Sequence, residues 1–434
     1  MKAYKQHIVL LLATVILVSL LSSTGCSQND NQSEKVVLEF WAGYCMVGDE
    51  ELEINQESWV LTQQIKKYNS LQDEVHINYT FIEDEEAMLQ MLKASNYSKE
   101  ALPDIIVTWG GTNLEFLKEV LMPISRYFSQ SDIAEMTGWE NLSVDGEIYA
   151  CPVTGNNVTF FAYNKQIVEL AGLNFESNPP SSLEDFDNSL SIIKSLGFTP
   201  IVAGDDGSNW LYTDVFAKWW LQSSGIDSIK SLRLGTSSFI DDQGFIESFE
   251  IAQRFYQNGY INTDYATNED YYSQFINGKA ALYPTFIYER GYLLEDLGTN
   301  LGILEIPDIS ANCLYPGLNF GGCNQGIGVI NTTSNPEKCI EFIKWITNRE
   351  NSIEQNKVYR GFPIRRDITL SDLDLENDFI MQQLLPLLDK TVVSLDNSLY
   401  TIDDFGDTFR KLGTKTLICQ MDIRDFARAL DEAR

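Results

Sequence analysis

Short strand-like runs separated by helix-length segments constrain this chain more than any other feature. "KVVLEFWAG" (35–43), "VHINYTFI" (75–82) and "DIIVTWGG" (104–111) are rich in β-branched and aromatic residues. Between them, "ESWVLTQQIKKYNSL" (57–71) and "EEAMLQMLKASNYS" (85–98) repeat apolar residues at helical spacing. Met88, Leu89, Met91 and Leu92 fall on or near one buried face of the second. Strand, helix, strand in that order favours parallel pairing, because parallel neighbours need a long crossover and a helix supplies it. The unbroken apolar run of "DIIVT" fits a strand covered on both faces. The expected fold class is α/β.

The pattern resumes after "DGEIYACPVTGNNVTFFAYNK" (145–165). Pro179 and Pro180 precede a helix with Ser182 as N-cap and Asp185 three residues on, a capping-box spacing. That helix ends at "SLGFTP" (195–200), and "IVAG" (201–204) is the next strand. "TDVFAKWWLQSSG" (213–225) and "FIESFEIAQRFYQNGYIN" (245–262) are expected to be amphipathic helices. Trp219, Trp220 and Trp345 are read as packing residues within helical patterns. "NGKAALYP" (277–284) is a strand after a helix-terminal glycine, "GIGVINTT" (326–333) another strand, and "NPEKCIEFIKWITNRE" (335–350) a helix.

The N-terminus explains a lone cysteine. Lys2 and Lys5 precede an apolar run from Ile8 to Leu21, too short for a permanent membrane span and closed by small residues. This is the layout of an export signal, here residues 1–25. Thr24, Gly25 and Cys26 resemble the end of a bacterial lipobox, with Ser23 where leucine is usual. The resemblance implies a lipid on Cys26 and a polar tether over 26–35; the plainer alternative is a signal peptide with an incidental cysteine. Anchoring without spanning follows from the first reading.

Composition narrows the chemistry. A chain of 434 residues holds two domains of ordinary size, and a net charge of −31 repels phosphate backbones, so nucleic acid is not an expected partner. Beyond Cys26 there are six cysteines and no CxxC spacing. Cys313 and Cys323 either pair across a loop or, like the others, act as small buried apolar residues. Once the signal is set aside, His76 is the one histidine, in a strand-like stretch where a structural role is the ordinary one. Histidine-based zinc sites and Ser-His-Asp or Cys-His catalysis therefore find no support, and no metal or cofactor is expected. "SDLDLEND" (371–378) lacks the central glycine of a calcium loop and reads as a solvated charge run.

An ordered set of segments carries a family resemblance: "PDIIVTWGG", "DGEIYACPVTGNN", "FAYNK", "AGL…PPSSLEDF", "GFTPIVAG", "FINGKAALYP", "GIGVI", "NPEKCIEFIKWIT" and "GFPIRRD". Together they resemble the extracellular solute-binding proteins of sugar-binding family 1, the receptor lipoproteins of ABC importers, over nearly the whole chain beyond the signal. The resemblance implies a two-lobe periplasmic-binding-protein-like fold of type II, each lobe a central sheet flanked by helices, joined by hinge strands. By analogy, lobe 1 comprises 36–154 and 304–355, lobe 2 comprises 158–302 and 360–434, and 154–157 form the first crossing. It also implies a carbohydrate ligand, ABC permease subunits as partners, a monomer, and a place at the outer face of the cytoplasmic membrane.

A sugar offers C–H faces to aromatic rings and hydroxyls to carboxylates, amides and arginine. Such groups belong just past the C-terminal ends of strands. Trp41 and Trp109 follow strands, with Asn113 close behind the second. Asn156 and Asn157 lie at the first crossing and either donate to hydroxyls or serve a turn. Asp206 and Trp210 follow a lobe 2 strand, and Asp206 is the preferred acceptor unless it only makes an Asx turn beside Gly207. Tyr288 and Glu289 match the aromatic–acid pair of relatives, in which tryptophan is commoner than tyrosine. Asn324 lies in a glycine-bearing loop, and Arg360 near a second crossing clamps ligand or forms an ion pair. Two other readings stay open: a glycoside hydrolase using paired carboxylates, and a receptor of the same fold for a non-sugar solute.

Overall fold

The computed structural model describes residues 35–98, 102–153, 155–205, 209–310, 312–392 and 404–434. Contacts gather Val37–Arg434 into one unit. The strands are β1 (Val36–Ala42), β2 (Val75–Phe81), β3 (Ile105–Trp109), β4 (Ser143–Val144), β5 (Glu147–Ile148), β6 (Ala150–Pro152) and β7 (Gly155–Asn164). They continue as β8 (Thr199–Ile201), β9 (Ala280–Phe286), β10 (Leu301–Leu304), β11 (Asn319–Gly322), β12 (Gln325–Val329), β13 (Phe362–Pro363) and β14 (Thr391–Val392).

Two main sheets result. One runs β2-β1-β3-β12-β6, the other β14-β11-β7-β9-β8 with β10 and β13 also on β7; β4 and β5 form a small hairpin. β1 and β3 are parallel, Phe40 opposite Ile105, as the alternation requires. β12 then enters antiparallel between β3 and β6, which local periodicity does not reveal. The chain passes between sheets at 153–155, at 322–325 and again ahead of β13.

The middle passage departs from expectation. Residues 305–322 were assigned with 304–355 to the first lobe, yet they bind the second sheet and its helices. Trp219 Nε1 donates to Pro307 O at 2.9 Å, and Gln222 Nε2 to Asp308 Oδ1 at 2.5 Å. The Lys218 ammonium lies 3.1 Å from Asp308 Oδ1 and also donates to Ile306 O. β11 then pairs with β7 and β14.

Local signals hold at several helix ends. Ser182 caps the helix Leu183–Ser195 by accepting from Asp185 N at 3.2 Å, while the Asp185 carboxylate turns to Ser181 Oγ at 2.9 Å, so only half a capping box forms. Gly197 and Gly278 take φ of +89° and +70° after their helices, as a left-handed terminator must. Met88, Leu89 and Leu92 are buried, but Met91 is 44% exposed on the other face. The strand expected at 201–204 is shifted to Thr199–Ile201, with Val202 N still donating to Leu282 O. The helix expected over 335–350 is two, Pro336–Ile346 and Arg349–Tyr359, because Asn348 caps the second.

The segment expected to be an amphipathic helix from 213 is instead a π-helical turn, Leu211–Phe216, followed by the α-helix Ala217–Ser224. Every residue from 211 to 222 except Asp214 is buried, Trp219 and Trp220 included. This segment sits inside the second sheet's core with Phe186, Phe249, Phe255 and Phe426. Trp345 packs on Tyr68, ring centroids 5.0 Å apart. The acidic run 371–378 is not simply solvated: Asp378 caps the helix Phe379–Leu384 and pairs with Arg290, both side chains under a tenth exposed. Cys313 and Cys323 are free thiols, and burial pushes the Cys323 thiol up to about 11.

Candidate ligand-binding site

Where the chain passes between the sheets lies a cavity of about 280 Å³. Of the residues expected at a ligand site, Trp109, Asn156, Asn157, Tyr288, Asn324 and Arg360 line it. It also takes in Tyr44, Asp214, Phe286, Tyr292, Gln325 and Tyr359.

Trp109 ends β3 and is set by a chain of contacts. Its Nε1 donates to Glu85 Oε2 at 2.8 Å, and Glu85 opens the helix Glu85–Ser98. Gly43 makes room for that carboxylate, since a Cβ there would sit 2.3 Å from Glu85 Oε1. The glycines after Trp109 have a structural reason as well. A Cβ on Gly110 would lie 2.5 Å from Asn141 O, and Gly111 N donates to that same oxygen at 3.0 Å with φ of +62°. Close backbone approach is therefore to Asn141.

The two neighbouring asparagines part company because β7 is extended there. Asn156 sends Nδ2 to Pro363 O and to Thr137 Oγ1, both at 3.0 Å, and so ties the first crossing to β13. Asn157 Oδ1 is buried with no protein partner, and so is Asn324 Oδ1. Buried carboxamide oxygens normally accept a hydrogen bond, so these two are exceptions, on residues that both line the cavity.

The second sheet contributes an aromatic row. Phe286 stacks on Tyr288 with centroids 5.3 Å apart and planes 9° off parallel. Trp210 backs Phe286 at 6.0 Å, with its Nε1 donating to Gly204 O at 2.7 Å, and does not itself line the cavity. Glu289 also turns away: its Oε2 accepts from Tyr283 Oη at 2.9 Å and Thr285 Oγ1 at 2.6 Å. Burial and that carboxylate hold the Tyr283 hydroxyl well above the usual phenol range. Arg360, in a left-handed conformation after the helix Arg349–Tyr359, reaches across Gly291, where a Cβ would meet its Nη1 at 2.0 Å.

Two further expected site residues lie elsewhere. Trp41 packs beside the cluster of Met88, Leu89 and Leu92. Asn113 belongs to the helix Thr112–Leu117 and is not on the cavity wall. Asp206 falls outside the described residues. Among the described residues no group of His, Cys, Asp and Glu is arranged to hold a metal ion.

Two α/β halves with a polar and aromatic cavity at their crossings define a two-lobed solute-binding fold of type II. The chain belongs to the bacterial extracellular solute-binding protein family, whose profile matches residues 63–381. It is 26% identical over 254 residues to a Pyrococcus horikoshii protein named an ABC transporter extracellular-binding protein, a match spanning 57% of this chain and 56% of that relative. Solved structures agree in fold. A chitin oligosaccharide binding protein superposes with TM-score 0.74 at 19% identity, covering 92% of this chain and 98% of that one. The sugar-binding protein MalE of Xanthomonas citri gives 0.70 at 17%, covering 92% and 96%. An ABC transporter solute-binding protein of Thermotoga lettingae bound with α-D-tagatose gives 0.66 at 14%, covering 92% and 98%.

Proposed function

We propose that this protein is the receptor of an ABC importer, capturing a carbohydrate between its lobes and delivering it intact to the permease. The observation that carries the reading is the cavity itself, lined by the aromatic residues Trp109 and Tyr288 together with the carboxamide residues Asn157 and Asn324. Rings cover sugar C–H faces and carboxamides hydrogen-bond to hydroxyls. The ligands named for two structural neighbours, chitin oligosaccharide and tagatose, fit the same class. Ligand bridging both lobes favours a closed state, which the permease reads.

The reading includes a monomer held at the outer face of the cytoplasmic membrane through lipid on Cys26, which lies outside the described residues. Cys26→Ala is expected to release the protein from the membrane fraction into the medium; a variant that stays with membranes would remove the anchor. For binding, a panel of mono- and oligosaccharides is expected to yield at least one that raises the stability of the folded state by about 2.7 kcal/mol at a hundred times its Kd. That sugar is recovered unchanged. Release of reducing ends at enzyme-like rates would sink the receptor reading.

A further inference from the structure

We propose that Glu289 is a positioning residue: it fixes the turn that presents the Tyr288 ring to the cavity, and it does not itself touch the sugar. The inference rests on the receptor reading above. It starts from two neighbouring side chains that part company. Tyr288 lines the cavity and stacks on Phe286, whereas Glu289 is not part of the wall. Both belong to the short helical turn Ile287–Glu289, which follows β9 and leads into the helix Arg290–Leu297. So short a turn has few backbone bonds of its own, and its orientation depends on what its side chains hold.

The hold is specific. Tyr283 Oη and Thr285 Oγ1, which donate to Glu289 Oε2 at 2.9 Å and 2.6 Å, lie two residues apart on β9 and so share one face of the strand. Phe286 takes the other face. Glu289 thus folds back under the strand the chain has just left, and Tyr288 stays on the side of Phe286. The anchor is itself fixed. Tyr283 is 4% exposed, with the rings of Phe275 and Tyr271 stacked on it at 5.3 Å and 6.1 Å, and Thr285 is fully buried. The raised pKa of the Tyr283 hydroxyl keeps it a donor. One residue further on, the Arg290 guanidinium pairs with Asp378, so the turn is pinned at its far side as well. Drawing a carboxylate inward costs desolvation, which the two charge-assisted bonds offset in part. What it gains is a ring set in place before ligand arrives.

The experiment measures Kd by calorimetry for Glu289→Ala, Glu289→Gln and Tyr283→Phe, each with Tyr288 present and in a Tyr288→Ala background. The probes are the mono- and oligosaccharide panel above, with chitobiose, maltose and D-tagatose included. Thermal midpoints confirm folded protein. If Glu289→Ala does not fold, Tyr283→Phe carries the comparison, because it keeps the ring stack and drops one hydroxyl. Glu289→Ala is expected to bind the sugar that wild type holds about tenfold more weakly, the lower end of what bonds to a charged group are worth. Tyr283→Phe should lose about threefold, and Glu289→Gln no more than about twofold, since an amide oxygen of the same reach still accepts from both hydroxyls. In the Tyr288→Ala background each of the three should cost under about twofold, because no ring is left to place. A residue that gripped the sugar directly would cost as much in either background, and one that served stability alone would lower the midpoint and leave Kd on the folded fraction unchanged. Equal losses in the two backgrounds would therefore overturn the inference and spare the receptor reading. So would Glu289→Gln binding as weakly as Glu289→Ala, or Glu289→Ala binding as well as wild type. Wild type binding no carbohydrate would overturn both.

Discussion

Lys218→Met is expected to destabilise the protein by about 3 kcal/mol at pH 7, the lower end of what breaking a buried ion pair costs. Lys218 is fully buried in the helix Ala217–Ser224 and donates to Ile306 O beside the Asp308 carboxylate. Methionine fills similar space but leaves Asp308 charged and largely enclosed. Gln222 Nε2 and Gly317 N still donate to it, which is why the loss falls short of the upper figures. The pH dependence gives a second reading. Burial pushes the Asp308 carboxyl up, but the Lys218 charge and the hydrogen bonds from Gln222, Lys218 and Gly317 outweigh it, so the folded value lies below the ordinary one. A lowered carboxyl stabilises the fold above its unfolded pKa, near 4, and that stabilisation disappears as pH falls through the folded value. The difference between wild type and variant should therefore shrink in acid. Urea midpoints followed from pH 7 down to about pH 2.5, through the folded value, test both points, and Lys218→Met/Asp308→Asn should recover much of the loss. Equal stability at pH 7, or a difference that widens in acid, would show that the pair does not hold this segment. The effect matters for the site because the π-helical turn carrying Asp214 runs directly into this helix.

That same pair shows where sequence reading fails. Lys218 and Ile306 are separated by 88 residues, and nothing near Asp308 announces that it belongs with Trp219 rather than with β12. The expected first-lobe segment was misplaced because a passage between lobes leaves no periodic mark, whereas β1, β3 and the cap at Ser182 depend on neighbours a few residues away. The glycines after Trp109 have their cause well down the chain, where Asn141 O comes too close for a Cβ on Gly110. Asn156 and Asn157 were indistinguishable in sequence, yet strand alternation gives one amide Pro363 and Thr137 as partners and leaves the oxygen of the other without one. Asp214 lay inside what read as an amphipathic helix, and only the burial of everything around it makes it conspicuous. Tyr44, Phe286 and Tyr359 went unnoticed for a related reason: an aromatic near a strand or helix end is ordinarily core.

Trp109→Ala is expected to weaken sugar binding by about 2–3 kcal/mol, roughly 30- to 150-fold, the loss typical of a central aromatic contact. The indole is half-buried at the end of β3 and fixed by Glu85, so its face is held in place before ligand arrives. Preorganisation of this kind lowers the entropy lost on binding, and alanine removes both the ring and that advantage. Trp109→Phe should fall between, keeping a flat apolar face without the bond to Glu85. Trp345→Ala is the control. That tryptophan also packs on aromatic rings, with Tyr68 at 5.0 Å and Phe342 at 6.5 Å, but it is not part of the cavity wall. Its loss should lower the thermal midpoint and leave Kd unchanged on the folded fraction. Calorimetric titration of the three variants at matched folded fraction separates packing from ligand contact. If Trp345→Ala impaired binding more than Trp109→Ala, Trp109 would not face the ligand, and the first lobe's share of the grip would have to come from Tyr44 and Asn324.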